Sequence, residues 1–171
     1  PVCYADSFLA PLAPGWITVF ISAATAAPPR TYGLIGWGGN KRHMELRDAL
    51  EADASRLASL TDTPRDVMRN LVHDRTVRIA ERDDDIVGFV SYDARDQTIH
   101  VTQLEGKASI YEQLLEEPLR FARSEGMAVE LLVLETESEI QSVADEMGFE
   151  RDGPGPRFEG EPTVRYRADN L

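Results

Sequence analysis

A short segment with two small residues, QLEGKA at 103–108, joins an apolar run to a long amphipathic stretch. Such a junction is suited to binding an anion, because the first turn of a helix leaves backbone N–H groups unpaired at the positive end of the helix dipole. Gly106 and Ala108 would let a phosphate approach the backbone, and Lys107 is the only lysine after residue 43. The alternative is that Gly106 is a plain turn glycine in front of a capped helix.

Periodicity predicts the elements that position this junction. The segment TVRIAERDDDIVGFVSYDARDQTIHV, residues 76–101, contains three β-rich runs separated by RDDD and DARDQ, which is typical of an antiparallel meander with two hairpin turns. After the junction, Ser109 and Glu112 have the spacing of a capping box, and apolar residues follow at helical spacing. Pro118 lies within this apolar face and is expected to kink the helix.

Further strands and helices are predicted on both sides of this region. A short strand at 44–47 precedes two helices, of which the second begins with Thr63 as N-cap and Pro64 in the first helical position. Downstream, the uninterrupted apolar run MAVELLVL at 127–134 indicates a strand that is covered on both sides and lies at the centre of the sheet. A last helix is expected to begin with a capping box at Thr136, and two closing strands follow it.

The charge of the chain is acidic and unevenly distributed. Residues 1–43 hold three basic and one acidic residue, whereas residues 44–171 hold 15 basic and 29 acidic residues, a balance of −14. A field of this sign repels phosphate backbones and anionic lipids, so we expect no nucleic acid and no membrane as partner, and an anionic ligand needs a local pocket. The 16 arginines against two lysines, with abundant Asp and Glu, resemble the surface of halophilic proteins; the alternative is an ordinary acidic cytosolic protein.

The first part of the chain, 1–43, is predicted to be an apolar N-terminal extension. Residues 7–29 carry no charge, but they lack a basic start and are interrupted by prolines, so neither a signal peptide nor a membrane span of roughly 20 residues is favoured. Two interpretations stay open: the extension lies upstream of a true start at Met44, or it packs on the domain. Cys3 is the only cysteine, so we expect no internal disulfide and no thiolate metal cluster.

The order of the predicted elements in 44–171 resembles that of the GNAT superfamily of N-acetyltransferases. The order is strand, two helices, three strands, helix, strand, helix and two strands. In addition, EMGFERDG at 146–153 resembles the LGF ending that follows the last helix in that superfamily. The resemblance implies an α/β fold with a mixed, largely antiparallel sheet of about six to seven strands and helices on both faces. Residues 44–171 would then form one GNAT-like acetyltransferase domain.

QLEGKA matches the Q/R-x-x-G-x-G/A loop with which that superfamily binds the pyrophosphate of acetyl-CoA. The resemblance implies cofactor contacts from Val101, Gln103, Leu104, Glu105, Gly106, Lys107, Ala108 and Ser109. A gapless count back from the paired leucines of the helix, Leu114 and Leu115, gives a second register. In that register Ser109 and Tyr111 occupy the two small positions and Tyr111 would crowd the phosphate. The sequence leaves both registers open.

The catalytic residues implied by the resemblance are less complete than the cofactor loop. The backbone N–H of Val101 matches the group that stabilises the oxyanion, and His100 and Glu105 are the candidates for a general base. A structural role for the histidine and a solvated carboxylate for the glutamate are the alternatives. The Tyr that protonates the leaving thiolate in many members is replaced by Ala144, and the Asn that opens the last helix is replaced by Glu137.

The sequence therefore predicts a cytoplasmic, acetyl-CoA-dependent N-acetyltransferase that uses no metal and acts on an unidentified small-molecule or protein amine. An acidic surface suits a cationic amine by steering, and pairing into a homodimer is left open. If the resemblance holds, the strands at 97–102 and 127–134 run parallel and separate next to Gly106, which leaves room for the pantetheine arm. The alternative is a catalytically impaired GNAT-like domain that serves as a CoA-binding or protein-interaction module. Another fold with a similar order of elements is the third interpretation.

Overall fold

A computed structural model of the 171-residue chain describes residues 44–158 and 160–169. The predicted extension at 1–43 lies outside the described residues, and so do both interpretations of it. The described part corresponds to the acidic region in which the order of elements resembles that of the GNAT superfamily.

Seven strands form one sheet in the described part of the chain. They are β1 (Glu45–Asp48), β2 (Thr76–Arg82), β3 (Asp85–Arg95), β4 (Thr98–Glu105), β5 (Ala128–Leu134), β6 (Glu150–Pro154) and β7 (Thr163–Ala168). Their order across the sheet is β1-β2-β3-β4-β5-β7-β6, and β4 with β5 is the parallel pair among antiparallel neighbours. The predicted mixed, largely antiparallel sheet is therefore confirmed. The apolar run predicted for the centre forms β5, which lies next to the central strand β4.

Helices cover both faces of this sheet, as predicted. They are α1 (Ala54–Thr61), α2 (Arg65–Asp74), α3 (Ala108–Glu125) and α4 (Ser138–Glu146), with a short 3₁₀ turn at Glu51–Asp53 before α1. The first two helices pack against β2 and β3, where Leu57, Ile79 and Phe89 belong to one buried cluster. The last two pack on the opposite side of the sheet. We call these two sides the α1 face and the α3 face.

The α3 face carries the larger apolar core, because alternate residues of the central strands point into it. Its members include Val90, Tyr92, Ile99, Val101, Leu104, Leu114, Leu115, Val129, Leu131, Val164 and Tyr166. The intervening residues of β4 and β5, such as His100 and Glu130, consequently face the other way. This alternation puts polar side chains on the α1 face of the strands that α1 and α2 do not contact.

Both predicted hairpin turns are present, and neither contains glycine. Asp83 and Asp84 connect β2 to β3, while Asp96 and Gln97 connect β3 to β4. All four have positive φ, between 48° and 64°. Two-residue turns of this handedness match the twist of a hairpin, and Asp tolerates the left-handed region better than most residues. These short connections fix the register of β4 against β3.

The helices begin at positions that differ from the predicted caps. The N-cap of α3 is Lys107 and that of α4 is Glu137, and neither side chain forms a capping hydrogen bond. The predicted capping boxes at Ser109 and Thr136 are therefore wrong. At α2 the N-cap is Pro64 instead of the predicted Thr63, so the helix begins one residue later than predicted, at Arg65. The first turn of α3 is consequently left without a capping side chain.

Candidate active site

β4 and β5 separate partway along their length. Their parallel pairing ends at Val101 with Leu131. The remaining residues of β4, Thr102–Glu105, have no pairing with β5, although β5 stays paired with β7 as far as Leu134. The strands therefore run parallel and then diverge toward Gly106, as the resemblance requires. We call this opening the β4–β5 gap and its wide end, next to Gly106, the mouth.

A β-bulge lies where the strands diverge. On the β3 side, Ser91 pairs with Gln103 and Tyr92 pairs with Val101, which leaves Thr102 as the extra residue. The hydroxyls of Thr102 and Ser91 lie 2.8 Å apart, and the Thr102 hydroxyl donates to the Ser91 carbonyl at 3.2 Å. Because a bulge bends its strand and redirects the backbone, these bonds fix the bend at the point where pairing with β5 stops.

The first turn of α3 presents backbone donors at the mouth. Among the described residues, no acceptor bonds the N–H groups of Ala108 and Ser109, whereas the Ile110 N–H donates to the Lys107 carbonyl at 3.0 Å. Lys107 is exposed and Ala108 is partly exposed. A helix of 18 residues directs the positive end of its dipole to this point, so an anion here would meet two amide donors.

The absence of a side chain at Gly106 allows close packing of the loop and does not create an open space. The φ of Gly106 is 145°, which few other residues adopt, and a Cβ there would lie 2.7 Å from Ile110 Cδ1. Gly88 on β3 is equally confined, since its Cβ would lie 2.4 Å from the Glu105 carbonyl oxygen. The missing Cβ atoms therefore let the loop lie against β3 and Ile110.

Tyr111 lies at the mouth and is only 2% exposed. Its hydroxyl donates to the Gly106 carbonyl at 2.9 Å. Burial, together with the charges of Glu105 at the end of β4 and Glu137 after β5, raises the pKa of the Tyr111 phenol to about 12. The hydroxyl therefore stays protonated at neutral pH.

The surroundings of the α3 donors are acidic. Partial burial and the nearby charge of Glu139 raise the pKa of Glu137, the N-cap of α4. A groove of about 330 Å³ extends from Ala108 and Ser109 along the space between α3 and α4. Its charged lining residues are Glu112, Glu116, Arg123 and Glu146. An anion at this end of α3 would therefore be bound by the local amide groups, although most of the charged side chains around it are negative.

A row of polar side chains crosses the α1 face at the closed end of the gap. The strand register aligns Asp93, His100, Glu130, Arg167 and Glu150 across five strands. His100 Nδ1 lies 3.6 Å from Glu130 Oε1. The contact with His100 is the main cause that lowers the pKa of Glu130, with burial opposing it and the charge of Arg165 assisting it.

The structure places the predicted site residues on opposite faces of the sheet. Val101 and Leu104 point into the core of the α3 face, so only their backbone groups can contact a ligand. Gln103, Glu105 and His100 lie on the α1 face, as their pairing with β3 shows. The loop at 106–109 and the candidate bases are therefore separated by the sheet, with the β4–β5 gap between them.

Ala144, at the position expected for a general acid, is fully buried in the core of the α3 face. Its methyl group cannot donate a proton. The predicted end of the last helix is confirmed: Met147 is the C-cap of α4, and Gly148 follows it with φ of 85°. The LGF-like segment therefore lies where the resemblance places it.

Two residues of the α1 face, Glu130 and Arg165, were missed by sequence reasoning. Glu130 is the one charged residue in the run MAVELLVL, and strand alternation sets it apart from its apolar neighbours. Arg165 alternates with apolar residues in TVRYRA in the same way. The signal was present, but the apolar run was interpreted as a strand covered on both sides.

The described domain is similar in structure to solved acetyltransferases. A protein from Desulfovibrio desulfuricans assigned to the GNAT family has a TM-score of 0.62 at 18% identity, over 74% of this chain and 99% of that chain. A ribosomal-protein-alanine N-acetyltransferase from Brucella melitensis gives 0.63 at 17% identity, over 73% and 99%. A Salmonella typhimurium protein described as an acetyltransferase, solved with its cofactor acetyl-CoA, gives 0.63 at 14% identity, over 74% and 94%. The domain therefore has the GNAT acetyltransferase fold.

No family model matches the sequence, and no curated protein matches it. Within residues 44–158 and 160–169, no group of three or more His, Cys, Asp or Glu side chains is placed to hold a metal ion. No helix in the described part of the chain is long and apolar enough to cross a membrane. Because the likeness is one of fold, the chemistry has to be argued from the site.

Proposed function

We propose that the protein is an acetyl-CoA-dependent N-acetyltransferase that acts on a small-molecule or protein amine in the cytoplasm. The observation that carries the proposal is the β4–β5 gap, which opens after Val101 and leads to the amide groups of Ala108 and Ser109. A gap between parallel strands exposes backbone groups to an extended chain such as pantetheine. The start of α3 supplies donors for a pyrophosphate at the end of that chain.

The residues at the start of α3 fit acetyl-CoA. The amides of Ala108 and Ser109 and the exposed Lys107 would hold the pyrophosphate. Since α3 begins at Ala108, we favour the literal register, in which Gly106 and Ala108 are the two small residues. This proposal keeps Tyr111 out of the phosphate contact.

We further propose that Tyr111 moves when a ligand occupies the mouth, because its hydroxyl bonds the Gly106 carbonyl there. Its hydroxyl bond to the Gly106 carbonyl would be lost, at a cost of about 1 kcal/mol, in addition to the packing of the ring. The proposal therefore includes a displacement of the Tyr111 side chain when acetyl-CoA binds.

Acetyl-CoA supplies a thioester, from which the acetyl group passes to the amine nitrogen while the amine loses one proton and the sulfur gains one. We propose that backbone N–H groups of β4 near Val101 stabilise the developing oxyanion, because the Thr102 bulge redirects the backbone beside the gap. Donors that are already fixed in place need no reorganisation during the reaction.

We propose His100 as the proton acceptor. It lies on the α1 face, is partly exposed, and has Nδ1 3.6 Å from Glu130 Oε1. A carboxylate next to Nδ1 orients the ring and leaves Nε2 as the nitrogen open to a ligand. Glu105 is 2% exposed and is the less accessible of the two candidate bases.

The proton that the sulfur gains is proposed to come from solvent. Ala144 cannot provide it. The Tyr111 hydroxyl is bonded to the Gly106 carbonyl, and its pKa of about 12 makes it a poor acid.

A second candidate function is a CoA-binding or protein-interaction module without catalysis. Two observations favour it: Ala144 is buried where an acid is expected, and the Tyr111 hydroxyl bonds the Gly106 carbonyl at the mouth. The same fold can carry either function, since fold does not determine chemistry.

Calorimetry with acetyl-CoA, at low and at high salt, followed by a thiol-release assay with a panel of amines, separates the two candidates. Binding with amine-dependent release of thiol is the expected result. Binding without thiol release for any amine would support the module instead. If acetyl-CoA does not bind at either salt concentration, the proposed function is wrong.

A further inference from the structure

A hollow of about 350 Å³ is lined by Arg165 on β7 and by Pro154, Gly155 and Pro156 at the end of β6. Its size is within the range of small-molecule sites, roughly 300–1,000 Å³. Arg165 on β7 is directly opposite Leu132, which is the first residue of β5 beyond its last pair with β4. Both side chains belong to the α1 face, so Leu132 lies between the hollow and the open part of the gap on the side away from α3.

The guanidinium of Arg165 is incompletely satisfied. Its Nε is buried and has no hydrogen-bond partner among the described residues. The ion pair with Glu130 is long, with Nε 3.8 Å from Oε2, and 31% of the Arg165 side chain is exposed. A distance of 3.8 Å is too long for a hydrogen bond, and burying a donor without an acceptor is unfavourable. The arrangement would be completed by a ligand that brings oxygen acceptors.

A second unsatisfied donor lies on the same face at the other side of the gap. Gln103 is 6% exposed, and its Nε2 has no hydrogen-bond partner among the residues that the structure describes. It follows the Thr102 bulge, beyond the part of β4 that pairs with β5. Buried polar groups without partners are uncommon, so Gln103 and Arg165, on the strands to either side of β5, are candidates to bind a polar ligand.

We propose that the hollow binds a carboxylate of the acceptor through Arg165, and that the acceptor is a compact amine carrying a carboxylate, as in a free amino acid. The inference rests on the proposed acetyl transfer. A guanidinium matches a carboxylate in geometry and in charge. Because β7 lies one strand spacing of about 4.8 Å beyond β5, a carboxylate held at Arg165 leaves a nearby amine within reach of the gap.

This inference differs from the expectation that the acidic surface selects a cationic amine. A net negative field steers cations over long distances, but it is screened by salt within about 10 Å at 0.1 M. At contact distance the local guanidinium determines which group binds. A polyamine would place a second positive charge next to Arg165 and is disfavoured.

The alternative is that Arg165 is only a diagonal cross-strand ion-pair partner of Glu130, whose register partner is Arg167. If the pair is only structural, removing either member leaves carboxylate binding unaffected. If Arg165 holds the acceptor, Glu130→Gln removes a competing anion and strengthens carboxylate binding. Arg165→Gln then abolishes that binding.

The test is an NMR titration of the full chain, followed through signals of the described domain. Each free amino acid and its amide are added in turn, so binding is measured without requiring turnover. For at least one amino acid, we expect affinity about tenfold or more above that of its uncharged amide. Arg165→Gln should remove this difference, Arg165→Lys should retain part of it, and Glu130→Gln should increase it. Arg120→Gln, an exposed arginine on α3, is the matched control and should change nothing.

Equal binding of amino acids by wild type and Arg165→Gln, or no binding of any amino acid, would overturn the inference. Arg165-dependent binding without acetyl transfer would support the hollow as a carboxylate site while showing that the proposed function is wrong. Where transfer occurs, Arg165→Gln should raise KM for the amino acid about tenfold and leave KM for acetyl-CoA unchanged. Unfolding midpoints of all variants show whether the chains are folded.

Discussion

The two faces of the sheet offer an anion different kinds of donor around one gap. On the α3 face the donors are backbone amides at the start of a long helix, with acidic side chains along the adjoining groove. On the α1 face they are side chains, with Arg165 next to Glu130. The small residues Gly106 and Ala108 mark the backbone donors in the sequence, whereas Arg165 is one of 16 arginines and belongs to no motif. The sequence therefore indicates the first anion site and not the second.

The largest expected effect comes from blocking the backbone donors. Ala108→Tyr places a ring at the start of α3 and should weaken acetyl-CoA binding about 100-fold or more, roughly 2.7 kcal/mol. Gln113→Tyr adds the same ring at an exposed position on the same helix and is the control. Calorimetry would measure both. Unchanged affinity in Ala108→Tyr would show that the pyrophosphate does not bind at this helix start.

The packing of the loop gives the next largest effect. Gly106→Ala should lower the free energy of unfolding by about 1–3 kcal/mol, because its Cβ would be 2.7 Å from Ile110 Cδ1. Gly126→Ala, at the other end of α3, has positive φ but no atom within 4 Å of the added Cβ, so it isolates backbone strain. Adding Ile110→Val, which removes Cδ1, should recover part of the loss. Urea denaturation that shows equal losses at both glycines would contradict the clash.

A smaller effect is expected from the hydroxyl at the mouth. Tyr111→Phe removes the bond to the Gly106 carbonyl and should lower the free energy of unfolding by about 1 kcal/mol. The ring then moves more easily, so KM for acetyl-CoA should fall by up to about fivefold. Tyr166→Phe in the same core is the control. A rise in KM would indicate that the hydroxyl contacts the ligand instead of restricting its access.

The smallest expected effects are changes in the unfolding midpoint, which should have opposite signs for substitutions on the two faces. The lowered pKa of Glu130 means that its ionised form stabilises the fold above its unfolded pKa, and this contribution is lost as pH falls through the folded pKa. The raised pKa of Glu137 means that ionisation is unfavourable in the folded state. At pH 7, Glu130→Gln should lower the unfolding midpoint and Glu137→Gln should raise it. Both differences should shrink in thermal scans as the pH falls and the carboxyl groups protonate, that of Glu130 at lower pH than that of Glu137, and equal signs would contradict the assignment of the two environments.

Most of the fold could be predicted because its signals are local. Asp-rich turns separate the strands of the meander, and apolar spacing marks the helices. The helix starts could not be predicted, since α3 begins at Ala108 in a loop whose shape depends on contact between Gly106 and Gly88. That contact joins segments that are distant in sequence.

The backbone part of the candidate site could be predicted from the sequence, but the positions of its side chains could not. A motif locates Gly106 and Ala108 at the start of α3, and the divergence of β4 and β5 follows from the fold that the motif implies. The raised pKa of Tyr111 depends in part on Glu137, which follows β5. The pairing of Arg165 with Leu132 likewise depends on the order of strands in the sheet. Neither contact has a local signal.

The parallel seam between β4 and β5 contains four residue pairs, from Thr98 with Ala128 to Val101 with Leu131. It joins two antiparallel subsheets, β1 to β4 and β5 to β7, each built mainly from neighbours in the chain. Regions with local contacts form early, so we expect each subsheet to assemble as its own cooperative unit and the seam to close last. Amide hydrogen exchange should then be fastest, among core strands, at the seam. A ligand bound between the two subsheets would connect them, so that they would unfold locally together instead of separately.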